Sequence, residues 1–348
     1  MSDKQYDWAV IGAGPAGIAA VGKLLDYQVD PEKLVWIDPQ FKVGDFGEKW
    51  QAVPSNTTVG LFLQFLHHVK SFHYLEVHHD FNLGKLDTDA PCLIKDMAEP
   101  LEWVSERLRQ QVHSCQRTVQ KLTLKNNRWH LELGNQHIFA KQVILAIGSE
   151  PKMLEHDDLE VIDFDAAMDP QKLTLCCAPD DHVAVFGSSH SAVLAMRNLV
   201  NLGVKHIVNF YRSPLRYAVP MKDWILYDDT GLKSETAKWA HDHLDTDAIP
   251  TLLRCHANSE TIARHLPDCQ KVIYAVGFER RHSLVIEGAS LDHYDRHTGI
   301  IAPGLFGCGI AYPEAYVTPL NSVSHRVGLW KFMDYLNRLV PIWIRYKS

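Results

Sequence analysis

The chain lacks any pair of cysteines at the spacing of a metal or redox site. Its seven cysteines are odd in number, none stands in a CxxC, and the only adjacent pair is Cys176-Cys177. That pattern excludes a zinc ribbon and a secreted disulfide framework, and reads as free thiols in a reducing compartment. Positive charge is also scarce: 35 Lys and Arg against 42 Asp and Glu leave a formal net charge of -7. A nucleic-acid partner needs a cationic footprint, so that class falls away. No uninterrupted apolar run is long enough to span a bilayer, and no integral membrane segment is expected. The first candidate strand begins almost at the N-terminus, where a cleaved signal peptide would remove it. A cytoplasmic protein is the expectation. Nothing in the composition selects a monomer, and an oligomer is compatible with it.

Histidine, by contrast, is abundant, with 20 residues including His67-His68, His78-His79 and the HxH of His241 and His243. None of these has a carboxylate or cysteine at the spacing of a known site, so no metal is expected.

Two stretches share one grammar. Trp8-Ala9-Val10-Ile11 is a short apolar run ending in glycine, as a fully buried parallel strand would be. Pro15 to Asp26 follows with helical apolar spacing, then a second buried strand, Leu34-Val35-Trp36-Ile37. Val183-Ala184-Val185-Phe186 again ends in glycine, a helical pattern runs from about His190 to Leu202, and Ile207-Val208-Asn209-Phe210 is the next strand. Each stretch is closed later by an apolar strand ending in glycine, Val143–Ile147 before Gly148 and Val272–Val276 before Gly277. Between them, Trp129–Leu133 and Gln136–Phe139 form an expected hairpin turned by Gly134-Asn135. The repeat predicts an α/β chain of two Rossmann-like, doubly wound three-layer domains, the second inserted in the first. The expected FAD-binding domain is 1–155 and 281–348, and the expected NAD(P)H-binding domain is 156–280, with 220–269 an elaboration of it.

Gly12-Ala13-Gly14-Pro15-Ala16-Gly17 supplies the three glycines of a phosphate-binding turn. The first makes the strand-to-helix turn, the second admits a pyrophosphate, and the third lets helix and strand pack closely. The helix N-terminus then presents free N–H groups to the phosphates. Asp38, about twenty residues beyond Gly17, stands where a carboxylate accepts hydrogen bonds from an adenosine ribose. The second turn reads Gly187-Ser188-Ser189-His190-Ser191-Ala192, with serine in the middle-glycine position and alanine in the third. No acid follows its second strand; Arg212 and Arg216 stand there instead. Arginines attract a 2′-phosphate that an acid would repel, which favours NADPH over NADH.

These turns, the closures AIGS (Ala146–Ser149) and AVGF (Ala275–Phe278), and the segment LFGCGIAYPE together resemble the two-dinucleotide-domain flavoprotein superfamily. Thioredoxin reductase, flavin-containing monooxygenases and the lysine and ornithine N-hydroxylases belong to it. The resemblance implies FAD on the first unit, NADPH on the second, and a C-terminal segment returning to the flavin. It places Gly148 and Gly309 at the flavin, Gly304–Gly309 beside the ribityl chain, and Thr318–Ser322 at the start of a helix aimed at the pyrimidine end. GDFGEKW (Gly44–Trp50) and Ser55-Asn56-Thr57-Thr58 resemble the segments with which monooxygenases pack on the flavin, so Trp50 and Asn56 are the candidate site residues. The chain departs from the disulfide reductases in lacking their redox cysteine pair. It departs from the monooxygenases in having Val161-Ile162-Asp163-Phe164 in place of FxGxxxHxxx(Y/F), and Ile310 stands where an acid is usual. The expected function is hydride transfer from NADPH to FAD, then oxygen activation on a small nucleophile. The alternatives are a reductase of a quinone, small electrophile or redox protein, and a flavin-bearing sensor without catalysis. Cys308 reads as a buried space-filler, and Leu339–Ile344 as a tail packed on its domain.

Overall fold

In the computed structural model, residues 4–156, 158–290 and 293–346 are described. The chain divides into two compact units, one of residues 1–51, 58–149 and 280–348, the other of residues 52–57 and 150–279. The crossing into the second unit thus falls after Ser149, and a short segment, 52–57, also belongs to it.

The first unit is built on a nine-stranded sheet. Its parallel heart places Gln136–Leu145, Lys4–Ile11, Leu34–Ile37 and His113–Cys115 side by side. Alternation along the first strand explains the layers. Trp8 and Val10 join the core beneath helices Pro15–Asp26, Ile94–Gln111 and Leu329–Arg345, while Ala9 and Ile11 join a second core on the opposite face. The hairpin expected around Gly134 is present: Arg128–Leu133 runs antiparallel to Gln136–Leu145, and Gly134 has φ +71°. After the second unit the chain returns with Leu305–Gly307, which adds in parallel to Gln136–Leu145.

The C-terminal apolar run lies within helix Leu329–Arg345, whose Phe332, Met333, Leu336, Leu339, Val340 and Trp343 are all buried. Trp343 stacks on Phe306 at 4.9 Å, and its indole N–H donates to the Thr298 carbonyl at 2.7 Å. Burying each such large side chain stabilises the fold by about 2–3 kcal/mol, and so the tail is part of the core. Among the described residues no helix is long and apolar enough to cross a membrane.

Thr318–Ser322 does not open a helix. It is the tip of an antiparallel hairpin, Glu314–Val317 against Val323–Arg326. Pro319 stands two residues after the strand ends at Val317, Asn321 takes φ +57°, and the Thr318 amide donates to the Ser322 carbonyl at 2.9 Å. Turn chemistry there overrides helix initiation. The C-terminal helix starts only after Gly328.

The second unit carries five parallel strands in the order Leu252–His256, His206–Tyr211, His182–Phe186, Lys271–Tyr274, Glu160–Val161. Val183 and Val185 face helix His190–Leu202; Ala184 and Phe186 face a smaller core with Phe210, Val272 and Tyr274. Each unit is therefore a Rossmann-like layer structure with a glycine turn at the carboxyl end of a central strand, Lys4–Ile11 in one and His182–Phe186 in the other.

Candidate functional site

In the first turn the three glycines answer to three different constraints. Gly12 has φ +107°, and a Cβ there would lie 2.2 Å from the Ala146 carbonyl oxygen. A Cβ on Gly17 would lie 2.0 Å from the Gly12 carbonyl oxygen, so helix and strand touch through that position. Gly14 is different: the nearest protein atom to its notional Cβ is the Val43 carbonyl oxygen at 3.9 Å. The protein itself does not demand glycine there, and the space beside the turn is left open. Gly14 also caps helix Pro15–Asp26, which has no side-chain cap and no acid in its first turn. Pro15, at the first helical position, has no N–H to lose, and the amides beyond it are the kind of free donors that bind an anion.

Asp38 serves the turn directly. One carboxylate oxygen accepts from the Ala13 amide at 2.7 Å, and the other accepts from the Gln40 and Phe41 amides at 2.8 and 2.7 Å. Trp36, one strand over and wholly buried, donates its indole N–H to the Gly12 carbonyl at 2.9 Å. The returning segment closes the cradle: Gly309, at φ +77°, lies so near Ala16 that a Cβ would stand 2.6 Å from the alanine methyl. Gly148 has φ +73°, the nearest atom to its notional Cβ is Arg281 Nε at 4.0 Å, and the neighbouring Ser149 hydroxyl is buried without a partner. Trp50 is half-buried in the first unit. Asn56 is exposed, in the short segment that belongs to the second unit.

The second turn repeats the design with other parts. Gly187 has φ +131°, and a Cβ would meet the Ala275 carbonyl oxygen at 2.3 Å. Ser189 is extended and caps helix His190–Leu202 without using its hydroxyl. Ala192 is fully buried in the third position. The turn forms the floor of a cleft of about 620 Å³ at the carboxyl ends of the strands, lined also by Arg212 and Ser213, Ala257, Gly277 and Lys152. A crevice outside the carboxyl ends of parallel strands is where such folds take their ligands. Arg212 is therefore brought to the turn. Arg216 is not among the cleft residues; its guanidinium stacks over Tyr227 at 5.1 Å. His190, between turn and helix, has both ring nitrogens shut from solvent and without a partner. Burial, with Arg197 and Lys233 nearby, lowers its pKa to about 4, so it is neutral at pH 7.

Sequence reasoning missed Asn209. Buried in the strand beside the turn, it donates to the carbonyls of Val185 and Gly187 at 3.0 and 2.8 Å. The signal was an amide in an otherwise apolar strand.

The thiols are not poised for redox work. Cys308 is wholly buried, and burial pushes its pKa up to about 12. Cys177 is raised to about 12 by burial and by Asp181, and burial raises Cys176 as well. Neither has the thiolate that exchange chemistry requires.

Residues 6–302 match the family described as pyridine nucleotide-disulphide oxidoreductase. The chain is 33% identical to Monooxygenase AgnR1 of Paecilomyces divaricatus, over 96% of this chain and 97% of that protein. Its fold is similar to the ornithine N-hydroxylase of Kutzneria sp. 744, at 14% identity with a TM-score of 0.69, covering 99% of this chain and 100% of that one. It is similar also to the bacillithiol disulfide reductase of Staphylococcus aureus, at 10% identity with a TM-score of 0.64 and the same coverage. One of those structures is a hydroxylase and the other a disulfide reductase, so the fold alone does not choose between their reactions.

Proposed function

Because the chain belongs to the pyridine nucleotide-disulphide oxidoreductase family, we propose that it is an FAD- and NADPH-dependent monooxygenase acting on a small nucleophilic substrate. The observation that carries the oxygenase reading is near full-length identity, 33%, to a protein named a monooxygenase. The thiols support it: the adjacent Cys176 and Cys177, both with raised pKa, are unsuited to relay electrons to a disulfide.

The first cradle fits FAD on its own terms. Gly14 keeps open the space a side chain would fill, and the uncapped helix behind it offers the Ala16 and Gly17 amides to a pyrophosphate. Asp38 fixes the turn through Ala13, and the oxygen that accepts from Ala13 keeps one lone pair for a ribose hydroxyl. Gly148 and Gly309 allow close backbone approach along the same edge. In the second unit, Gly187 to Ala192 take the NADPH pyrophosphate, with the Ser188, Ser189 and Ser191 hydroxyls as donors, and Arg212 takes the 2′-phosphate. FAD, when bound, accepts hydride from NADPH and supplies the electrons that activate oxygen. In the flavin unit Trp50 walls the ring against water; in the second unit Asn56 is the candidate amide for a substrate.

Purified protein should be yellow, and NADPH should bleach it faster than NADH. With a nucleophilic substrate present, oxygen uptake should match hydroxylated product; complete conversion of oxygen to hydrogen peroxide with every nucleophile tried would reject the oxygenase reading. Arg212→Ala should raise the KM for NADPH about 10-fold, the worth of one good charged contact to phosphate, and leave that for NADH within about 2-fold. Equal effects on both nucleotides would reject the 2′-phosphate role.

A further inference from the structure

The two turns are held from the neighbouring strand in the same register. Trp36 pairs with Val10 and donates to the carbonyl two residues beyond it, that of Gly12. Asn209 pairs with Val185 and donates to the carbonyl two residues beyond it, that of Gly187. A buried indole N–H can do this unaided, because it has a single donor in a fixed direction. A primary amide has two ends, and something must decide which one faces the turn.

Arg254 decides it. It pairs with Asn209 from the other side, and its Nε donates to Asn209 Oδ1 at 3.2 Å. Its guanidinium is held over the Tyr211 ring at 4.9 Å. With the oxygen taken by a cation, both amide hydrogens are turned toward Val185 and Gly187. Asn209 has no solvent exposure, so water cannot substitute for any of the three bonds. Tyr211 immediately precedes Arg212, which ties this chain of contacts to the loop that faces the cleft.

We propose that Asn209, oriented by Arg254, is the positioning residue that sets the backbone of the second turn for a nicotinamide dinucleotide. This inference rests on the reading that the second turn binds NADPH. The pyrophosphate is common to NADPH and NADH, so Asn209 must act on both alike, in contrast to Arg212.

The test is steady-state kinetics on the FAD-loaded full chain with each nucleotide. Asn209→Leu, close in volume, should raise KM about 10-fold for NADPH and for NADH. The rate at saturating nucleotide should stay within about 2-fold, because the lost interaction is shared by ground and transition states. FAD content should not change. Arg254→Met, which keeps the stem, should raise both KM values about 3-fold, and the double variant should match Asn209→Leu alone, because the arginine acts through the asparagine. An unchanged KM in folded Asn209→Leu, or strictly additive effects, overturns the inference. Should Asn209→Leu fail to fold, an unchanged KM in Arg254→Met overturns it. A parent protein whose flavin neither nucleotide reduces overturns the NADPH reading itself; a parent that is reduced, and responds to Arg212→Ala, isolates failure to Asn209.

Discussion

In the first unit the glycine turn is enforced by the protein at two glycines and left open at the third. In the second unit, only the first of these positions keeps its glycine. Gly12 and Gly187 answer to the same backbone clash, with carbonyl oxygens 2.2 and 2.3 Å from a notional Cβ. The third positions differ: Gly17 lies against the Gly12 carbonyl, whereas Ala192 accommodates a methyl group. The middle positions differ as well, Gly14 against Ser189. A cofactor that stays bound needs the closest approach, and one that must enter and leave every turnover tolerates a looser turn. The difference thus matches a resident FAD and an exchanging NADPH.

Gly17→Ala breaks the comparison most severely. Its methyl would be 2.0 Å from a backbone oxygen, and nothing flexible can yield. The helix must move off the strand, at a cost of about 4 kcal/mol, and FAD should be lost from the purified protein. The reverse exchange in the second unit, Ala192→Gly, should cost only about 1 kcal/mol. Thermal melts and the flavin-to-protein absorbance ratio measure both. Comparable losses from the two variants would show that the units do not differ in this way.

His190 gives the second unit a pH dependence from a site that the first turn fills with Pro15. Its folded pKa, about 4, lies below the ordinary 6.5, so the unfolded chain binds the proton more readily. Stability is complete above pH 6.5 and falls as the pH drops toward 4, by about 3 kcal/mol at most. His190→Leu should flatten that part of the stability–pH curve in urea melts. An unaltered slope between pH 6.5 and 4 would place the acid sensitivity elsewhere.

Much of this was legible in the sequence, for a physical reason. Buried parallel strands such as Trp8–Ile11 and Val183–Phe186 are apolar on both faces, and glycine turns have few substitutes. Leu252–His256 was not legible, because an edge strand reading LLRCH carries neither a continuous apolar run nor a clean alternation. The role of Asn209 was hidden because its partners, Val185, Gly187 and Arg254, come from other strands. Thr318–Ser322 was misread because resemblance supplied a helix where Pro319 and Asn321 favour a turn. For Arg212 and Arg216 spacing was only half sufficient: the chain turns between them, sending one to the cleft and the other onto Tyr227.

Gly14→Ser separates a ligand's constraint from the protein's. The serine side chain has room, since no protein atom lies closer than 3.9 Å to its Cβ, so the apoprotein should melt within about 1 °C of the parent. On the proposed function the space it takes is the pyrophosphate's, and FAD affinity should fall about 10-fold, or about 1.4 kcal/mol. Titration of apoprotein with FAD, followed by quenching of flavin fluorescence, reads this directly. Unchanged affinity would mean that FAD does not lie against Gly14.

The smallest effect is expected from the converse change, Ser189→Gly. Ser189 is already extended, at φ -96° and ψ -171°, and its hydroxyl makes no cap to the helix. Glycine there removes one phosphate donor and admits a slightly closer pyrophosphate, two changes of opposite sign. The KM for NADPH should therefore move by less than about 3-fold, within 0.7 kcal/mol or so. A much larger fall in KM would mean that serine holds the nucleotide away, and the second turn would then be tuned for release. A much larger rise would mean that the hydroxyl has replaced the glycine as a binding group, and the looser turn would be a remodelled one.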